Sequence, residues 1–176
     1  MDKRSTKIWS LWGFAVTSLA GTLLHFLYDF SGKSKIAALF SGVNESTWEH
    51  MKLMFFPMLL FMIVQSFFFR DRHDFFSVKL SGILLGLLMI PIIFYTYNGA
   101  FGKSPDYINI GIFFVSAAVA YYYEAKKFEK RVPSNPSNKF SLIILTLICA
   151  SFFLFTFYPP RLPIFMDPLT NTYGIP

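Results

Sequence analysis

The residues of this 176-residue chain best able to do chemistry are three histidines and ten carboxylates, and spacing draws five of them together. His25 and Asp29 stand four apart, hence on one face of any helix that carries them, with His25 about one turn deeper. Glu45 and Glu49 are also four apart; His50 follows at once, and Lys52 lies three residues after Glu49. Two imidazoles with carboxylates form a ligand set suited to Zn²⁺ or a similar divalent ion, whose charge would offset the repulsion among the acids. Such an ion with an open position would activate water against a lipid-borne ester or amide. On that reading His25, His50 and Glu45 are the ligands, and Glu49 or Asp29 is the general base. These spacings are short and common, so a metal-free pocket and a purely structural polar network stay open beside it.

Part of the set has a structural explanation. Ser46-Thr-Trp-Glu49 is spaced as a capping box, in which the serine accepts from an orphan amide and the glutamate reaches back. Acids are also favoured at a helix N-terminus by its dipole. Neither reason covers His25, which lies in an apolar run and needs a partner, with Asp29 one turn above it. His73, inside Arg70-Asp-Arg-His-Asp74, reads as a solvated turn residue.

The elements that must position these groups follow from composition. Hydrophobic residues make up 54% of the chain, aromatics 20% and charged residues 15%, too little charge to cover a domain in water. Disorder, a disulfide scaffold and a nucleic-acid module are excluded; the lone Cys149 allows no intramolecular disulfide. A helix needs about 20 mostly apolar residues to cross a bilayer. Five segments qualify, at about 8–30, 51–69, 76–97, 107–123 and 140–158, with the fourth short. The fold class is therefore an all-α membrane protein: one five-helix domain over 1–158, followed by a segment over 159–176. The first span reads as a retained signal anchor, and IAALF between the first two spans as a short interfacial or re-entrant turn. Gly13, Thr17 and Gly21 recur every four positions, and Gly82 and Gly86 form a GxxxG; both stripes predict close packing within the bundle. Pro57 and Pro91 predict kinks in the second and third spans.

Lysine and arginine set the orientation. An N-terminus in the cytoplasm puts eleven of the 16 basic residues inside, many of them in the loop EAKKFEKRVPSNPSNK, where they face anionic lipid. Trp9, Trp12 and Tyr121 to Tyr123 would form an inner aromatic belt, and Tyr28, Trp48, Tyr95, Tyr97, Tyr107 and Tyr158 an outer one. The tail YPPRLPIFMDPLTNTYGIP, rich in proline yet carrying apolar side chains, predicts an ordered extracytoplasmic strap. That strap would bring Arg161 and Asp167 over the acidic cluster, with Lys52 beside it as a lid or pocket group. The expected partners are membrane lipids and not nucleic acid, with homo-oligomerisation left open.

The segments HFLYDF, GVNESTWEHMKLMFFP and YPPRLPIFMDPLTNTYGIP together resemble a family of small multi-pass bacterial membrane proteins of unknown function. The resemblance spans essentially the whole chain and implies a bacterial plasma-membrane protein, with no activity attached. More loosely, Glu45-Ser-Thr-Trp48-Glu-His50 is similar to a segment of seven-helix adiponectin-receptor-like hydrolases, which hold zinc within the bundle and cleave lipid amides. Here the asparagine of that segment is missing, the spacing is compressed, and the last helix has no HxxxH. Three functions stand as expectations: a metal-assisted hydrolase acting on a lipid, a small ion-coupled carrier or binding protein, and a membrane scaffold or assembly subunit.

Overall fold

The computed structural model describes residues 3–130 and 137–175. Within them the chain is helical: α1 (Lys3–Phe30), α2 (Lys35–Phe40), α3 (Thr47–Ser66), α4 (Phe75–Phe101), α5 (Asp106–Lys130) and α6 (Asn138–Phe157). All but α2 are long and apolar enough to cross a membrane. The apolar turn IAALF is the short helix α2, capped by the Ser34 side chain on the Ile36 amide. Polar ends extend the spans beyond their apolar cores. Helix α4 runs on to Phe101, and α5 has 25 residues where a short helix of 107–123 was expected. Helices α1, α4 and α6 finish, and α3 and α5 begin, at one end of the bundle, the upper end.

Helix α3 is the axis of the bundle, with 13 of its 20 residues buried. Helix α1 packs on it through its small residues. Gly13 lies under the rings of Tyr121 and Phe61, and the Thr17 hydroxyl meets the Tyr121 hydroxyl at 2.7 Å. A side chain at Gly21 would put its Cβ 2.9 Å from the Leu53 carbonyl. That carbonyl is one for which Pro57, four residues on, has no amide to return. Gly82 and Gly86 do the same for α4, facing Glu124 on α5 and Met54 with Ala120. The expected stripes are packing seams inside the bundle, whereas Gly111 meets open space.

Aromatic placement departs from the expected belts. Tyr28 and Tyr121 are buried, and Trp48 stacks on Phe152 of α6 at 4.6 Å between ring centroids. Tyr121 is held by its hydrogen bond to Thr17, and Trp48 by ring contacts within the bundle.

The largest departure concerns charge. Lys79, one of the eleven basic residues counted on the cytoplasmic side, and Glu124, which opens the basic loop EAKKFEKRVPSNPSNK, are fully enclosed between α4 and α5 and meet at 2.5 Å. Glu124 is helical because α5 continues through the first part of the basic loop; residues 131–136 of that loop lie outside the described residues. The Lys79 ammonium also sits 5.0 Å from the Tyr121 ring centroid and 5.8 Å from that of Phe61. Removing one partner leaves the other charge buried and alone. Lys79→Met is therefore expected to cost roughly 3–5 kcal/mol, and Lys79→Met with Glu124→Leu to recover most of it. Unfolding in detergent checks this, and a double variant no more stable than the single one would contradict it.

Candidate functional site

The upper end is built by a chain reversal. Gly32 and Lys33 adopt positive φ, 67° and 61°, and turn the backbone out of α1 toward α2. The segment is then tied back to the helix it left. The Ser41 hydroxyl donates to the Leu24 carbonyl and accepts from the Tyr28 amide at 2.9 Å.

A buried ion pair fixes the start of α3 and the loop before it. Lys52, fully enclosed, meets the Glu49 carboxylate at 2.6 Å. Its ammonium also donates to the Ala38 carbonyl of α2 at 2.7 Å and to the Thr156 hydroxyl of α6 at 2.9 Å. Glu49 accepts in turn from the Val43 amide at 3.1 Å. The expected capping box is thus half formed. Ser46 Oγ caps the Glu49 amide at 3.4 Å, but Glu49 reaches past Ser46 to Val43, and the Ser46 amide donates to Asn44 Oδ1 instead.

Held this way, the 41–46 loop places Glu45 between two imidazoles. His25 Nε2 is 3.6 Å from Glu45 Oε1, and His50 Nε2 is 3.6 Å from Glu45 Oε2. The two rings are 5.8 Å apart, and one ligand atom from each of the three residues lies within 4.8 Å of the others. These are the described residues that could hold a metal ion, and all three are half-buried. His50 Nδ1 lies 3.0 Å from the Ser46 carbonyl, which can only accept. That nitrogen therefore carries the proton, and in a neutral ring Nε2 presents its lone pair toward Glu45.

His25, Glu45 and His50 come together as the sequence suggests; Glu49 and Asp29 do not join them. The partner of His25 is Glu45, because α1 turns its His25 face toward α3 while Asp29, 40° further round the helix, is exposed. Glu49 is engaged by Lys52 and Val43, and Lys52 is a buried structural cation rather than a group at a pocket mouth.

Two cavities meet at this cluster. One, the polar cavity of about 120 Å³, carries Glu45, His50, Asn98, Lys103, Asp106 and Asn109 on walls otherwise made by apolar residues such as Ile90, Phe94 and Ile112. The other, of about 240 Å³, is an apolar cleft between α1, α3 and α5 that runs from His25 and His50 past Gly21, Leu53 and Phe113. His50, Asn109 and Phe113 belong to both walls. Asn109 lies outside the set that spacing selects, because no short motif marks it. Ser104 Oγ donates to its Oδ1 at 2.7 Å, and the Ser104 amide donates to Asn98 Oδ1 at 2.7 Å.

Pro168 and Leu169 of the C-terminal segment are among the residues that line the polar cavity. Phe165 packs at a tilt against Trp48 and edge-on against Phe155, and Asn44 Nδ2 donates to the Gly174 carbonyl at 2.8 Å. Asp167 is buried and shapes the segment itself: its Oδ1 takes the Leu169 amide at 2.8 Å, beside the Met166–Tyr173 bridge. Arg161 is exposed and lines neither cavity.

The family described as "Family of unknown function (DUF6512)" matches residues 1–175, and the chain belongs to it. No curated protein and no solved structure matches the chain.

The contact between Asn44 and Gly174 gives a direct test of how the C-terminal segment is held. Asn44→Ala removes a bond of about 1 kcal/mol and should speed proteolysis within 159–175 while leaving the helix content unchanged. Unaltered cleavage would show that the Trp48–Phe165 contact alone retains it.

Proposed function

We propose that this member of DUF6512 is a multi-pass membrane hydrolase that uses a divalent metal, most simply Zn²⁺, held by His25, Glu45 and His50. The upper end is the extracytoplasmic face of a plasma membrane, the N-terminus is cytoplasmic, and the C-terminal segment is a strap over the site. The excess of basic residues on the opposite side supports that orientation.

One observation carries the metal reading. Each histidine Nε2 stands 3.6 Å from a different Glu45 oxygen, too far to hydrogen-bond, and one ligand atom from each of the three residues lies within 4.8 Å of the others. Ligand atoms bonded at about 2.0–2.2 Å around a tetrahedral ion lie roughly 3.3–3.6 Å apart, so a modest inward shift of these side chains would enclose an ion. The Ser46 carbonyl holds His50 in the tautomer that offers Nε2, as the outer partner of a metal-bound histidine does. Three protein ligands leave a fourth position open, the pattern of a catalytic rather than a structural site.

An ion there would acidify a water molecule and polarise a carbonyl. This chain supplies the rest. Asp106 lines the same polar cavity and is the carboxylate that takes the water proton. Glu49 and Asp29 are less suited to that role, the first committed to Lys52 and the second turned outward. Water oxygen adds to the carbonyl carbon of an ester or amide. The carbon–oxygen or carbon–nitrogen bond then breaks as the leaving atom takes the proton held by Asp106.

The carrier reading has one observation in its favour. Polar groups continue down the bundle through Thr17, Tyr121, Lys79 and Glu124, and the Gln65 and Glu124 Oε1 atoms have no hydrogen-bond partner among the described residues.

Purified protein should carry close to one zinc ion per chain, measured by elemental analysis after dialysis. His25→Ala or His50→Ala should lower zinc affinity by at least about tenfold, and Asp29→Asn should leave it unchanged. Zinc-free protein that keeps its fold and takes up no zinc at micromolar concentration would sink the metal reading. Bound zinc with ion flux in liposomes, and no ester or amide cleavage, would favour the carrier.

A further inference from the structure

The two cavities differ in chemistry, and the place where they meet says what kind of molecule fits both. Only His25, His50, Asn109 and Thr22 bring polar side chains to the apolar cleft, and the Thr22 hydroxyl is already spent on the Ser18 carbonyl at 2.9 Å. The remaining walls are Gly21, Phe26, Leu53, Ile110, Phe113 and Phe114. The cleft extends from the level of His25 at least to Gly21, one helical turn or about 6 Å further from the upper end. At its rim Phe26 and Ile110 are exposed, in line with the exposed Leu19, Leu23 and Leu27 of the same outward face of α1. In a membrane-spanning bundle that face meets lipid, so the cleft opens sideways into hydrocarbon and not upward into water. The polar cavity on the other side of His50 and Asn109 holds Lys103, Asp106 and Asn98.

We infer that the α1–α3–α5 cleft seats the first few methylenes of one acyl chain, the remainder of which stays in the bilayer, with its carbonyl group at His50 and Asn109 and its polar head in the cavity lined by Leu169. An apolar chain suits walls that offer almost no hydrogen bonds, and water does not. A carbonyl at the junction meets the Asn109 amide, whose oxygen is occupied by Ser104 and whose Nδ2 remains to donate. The substrate class is accordingly a single-chain acyl ester or amide that enters from the bilayer. This assignment rests on the hydrolase reading for its chemistry, but the seat itself is a matter of shape and polarity and can be tested without any turnover.

The probe is a monoacylglycerol whose palmitoyl chain carries a diazirine within the first few carbons after the carbonyl, added to the protein in phosphatidylcholine nanodiscs and cross-linked by light. Peptide mapping should place the label mainly in segments 21–26 and 110–114, and unlabelled monopalmitoylglycerol should compete it away while glycerol does not. Filling the cleft with Ile110→Trp, or from the opposite wall with Thr22→Trp, should cut label in those segments roughly tenfold and leave it unchanged elsewhere. Label spread over all the exposed helix faces, or unaffected by both substitutions, would overturn the seat and leave annular lipid only. The same mapping on EDTA-treated protein separates the two ideas. Specific label on a protein that never binds zinc keeps the chain seat and removes the metal hydrolase, while bound zinc with unspecific label does the reverse.

Discussion

The upper half of this protein depends on the neutralisation of one lysine. An ammonium enclosed in an apolar bundle is costly unless a counter-charge and acceptors surround it. Lys52 meets that condition with Glu49, the Ala38 carbonyl and the Thr156 hydroxyl, and so joins α2, α3 and α6 at one point. The Glu49 oxygen that meets Lys52, Oε2, also accepts from the Val43 amide and carries the constraint into the loop before α3. Two residues on is Glu45, whose position between His25 and His50 is the geometry on which the proposed metal site rests. The site is thus positioned by groups that do not belong to it.

A second enclosed pair, Lys79 with Glu124, does comparable work between α4 and α5. It fits only because Gly82 has no side chain, since a Cβ there would collide with the Glu124 carboxylate. The same economy appears at Gly21, where the missing side chain lets α1 approach a carbonyl left free by Pro57. In lipid, apolar surface does not drive helices together, so close approach of backbones and buried polar pairs carry more of the association. Glycines and buried charges therefore mark the helix contacts, while most of the phenylalanines fill the space around them.

The number of spans was legible because hydrophobic length is a property of the sequence alone. Their ends were not, since Glu124 to Lys130 is polar enough to read as loop and is helical in the fold. The pairing of His25 with Glu45 and His50 was within reach of the expectation that α1 and α3 converge. The choice between Glu45 and Asp29 was not, because it turns on where a loop of irregular backbone comes to rest. Lys52 and Lys79 show the same limit from the other side. A rule that counts basic residues at span ends treats both as solvated, whereas each has an acid on a neighbouring turn or helix that lets it be enclosed. Asn109 carries no motif at all; only its contacts with Ser104 and both cavities single it out.

In the proposed function, hydrolysis of a membrane lipid sets two demands that oppose each other, since water must reach the scissile bond and the acyl chain must not be dragged into water. Withdrawing a chain from lipid costs about 0.8 kcal/mol per methylene, which for a long chain exceeds what a few polar contacts can return. A site at the head of an apolar cleft avoids most of that cost, because the chain passes from one apolar surrounding to another. The reacting group then has to sit at the depth where the cleft ends and the polar cavity begins, and His50, Asn109 and Phe113 stand at that boundary. His50 is the fourth residue of α3, yet it stands level with His25, five residues before the end of α1, so α3 begins lower in the bundle than α1 ends. The Lys52–Glu49 pair makes such a start tolerable, by giving the charged first turns of the helix partners inside the protein. The depth of the site and the burial of that lysine are therefore one requirement, met once.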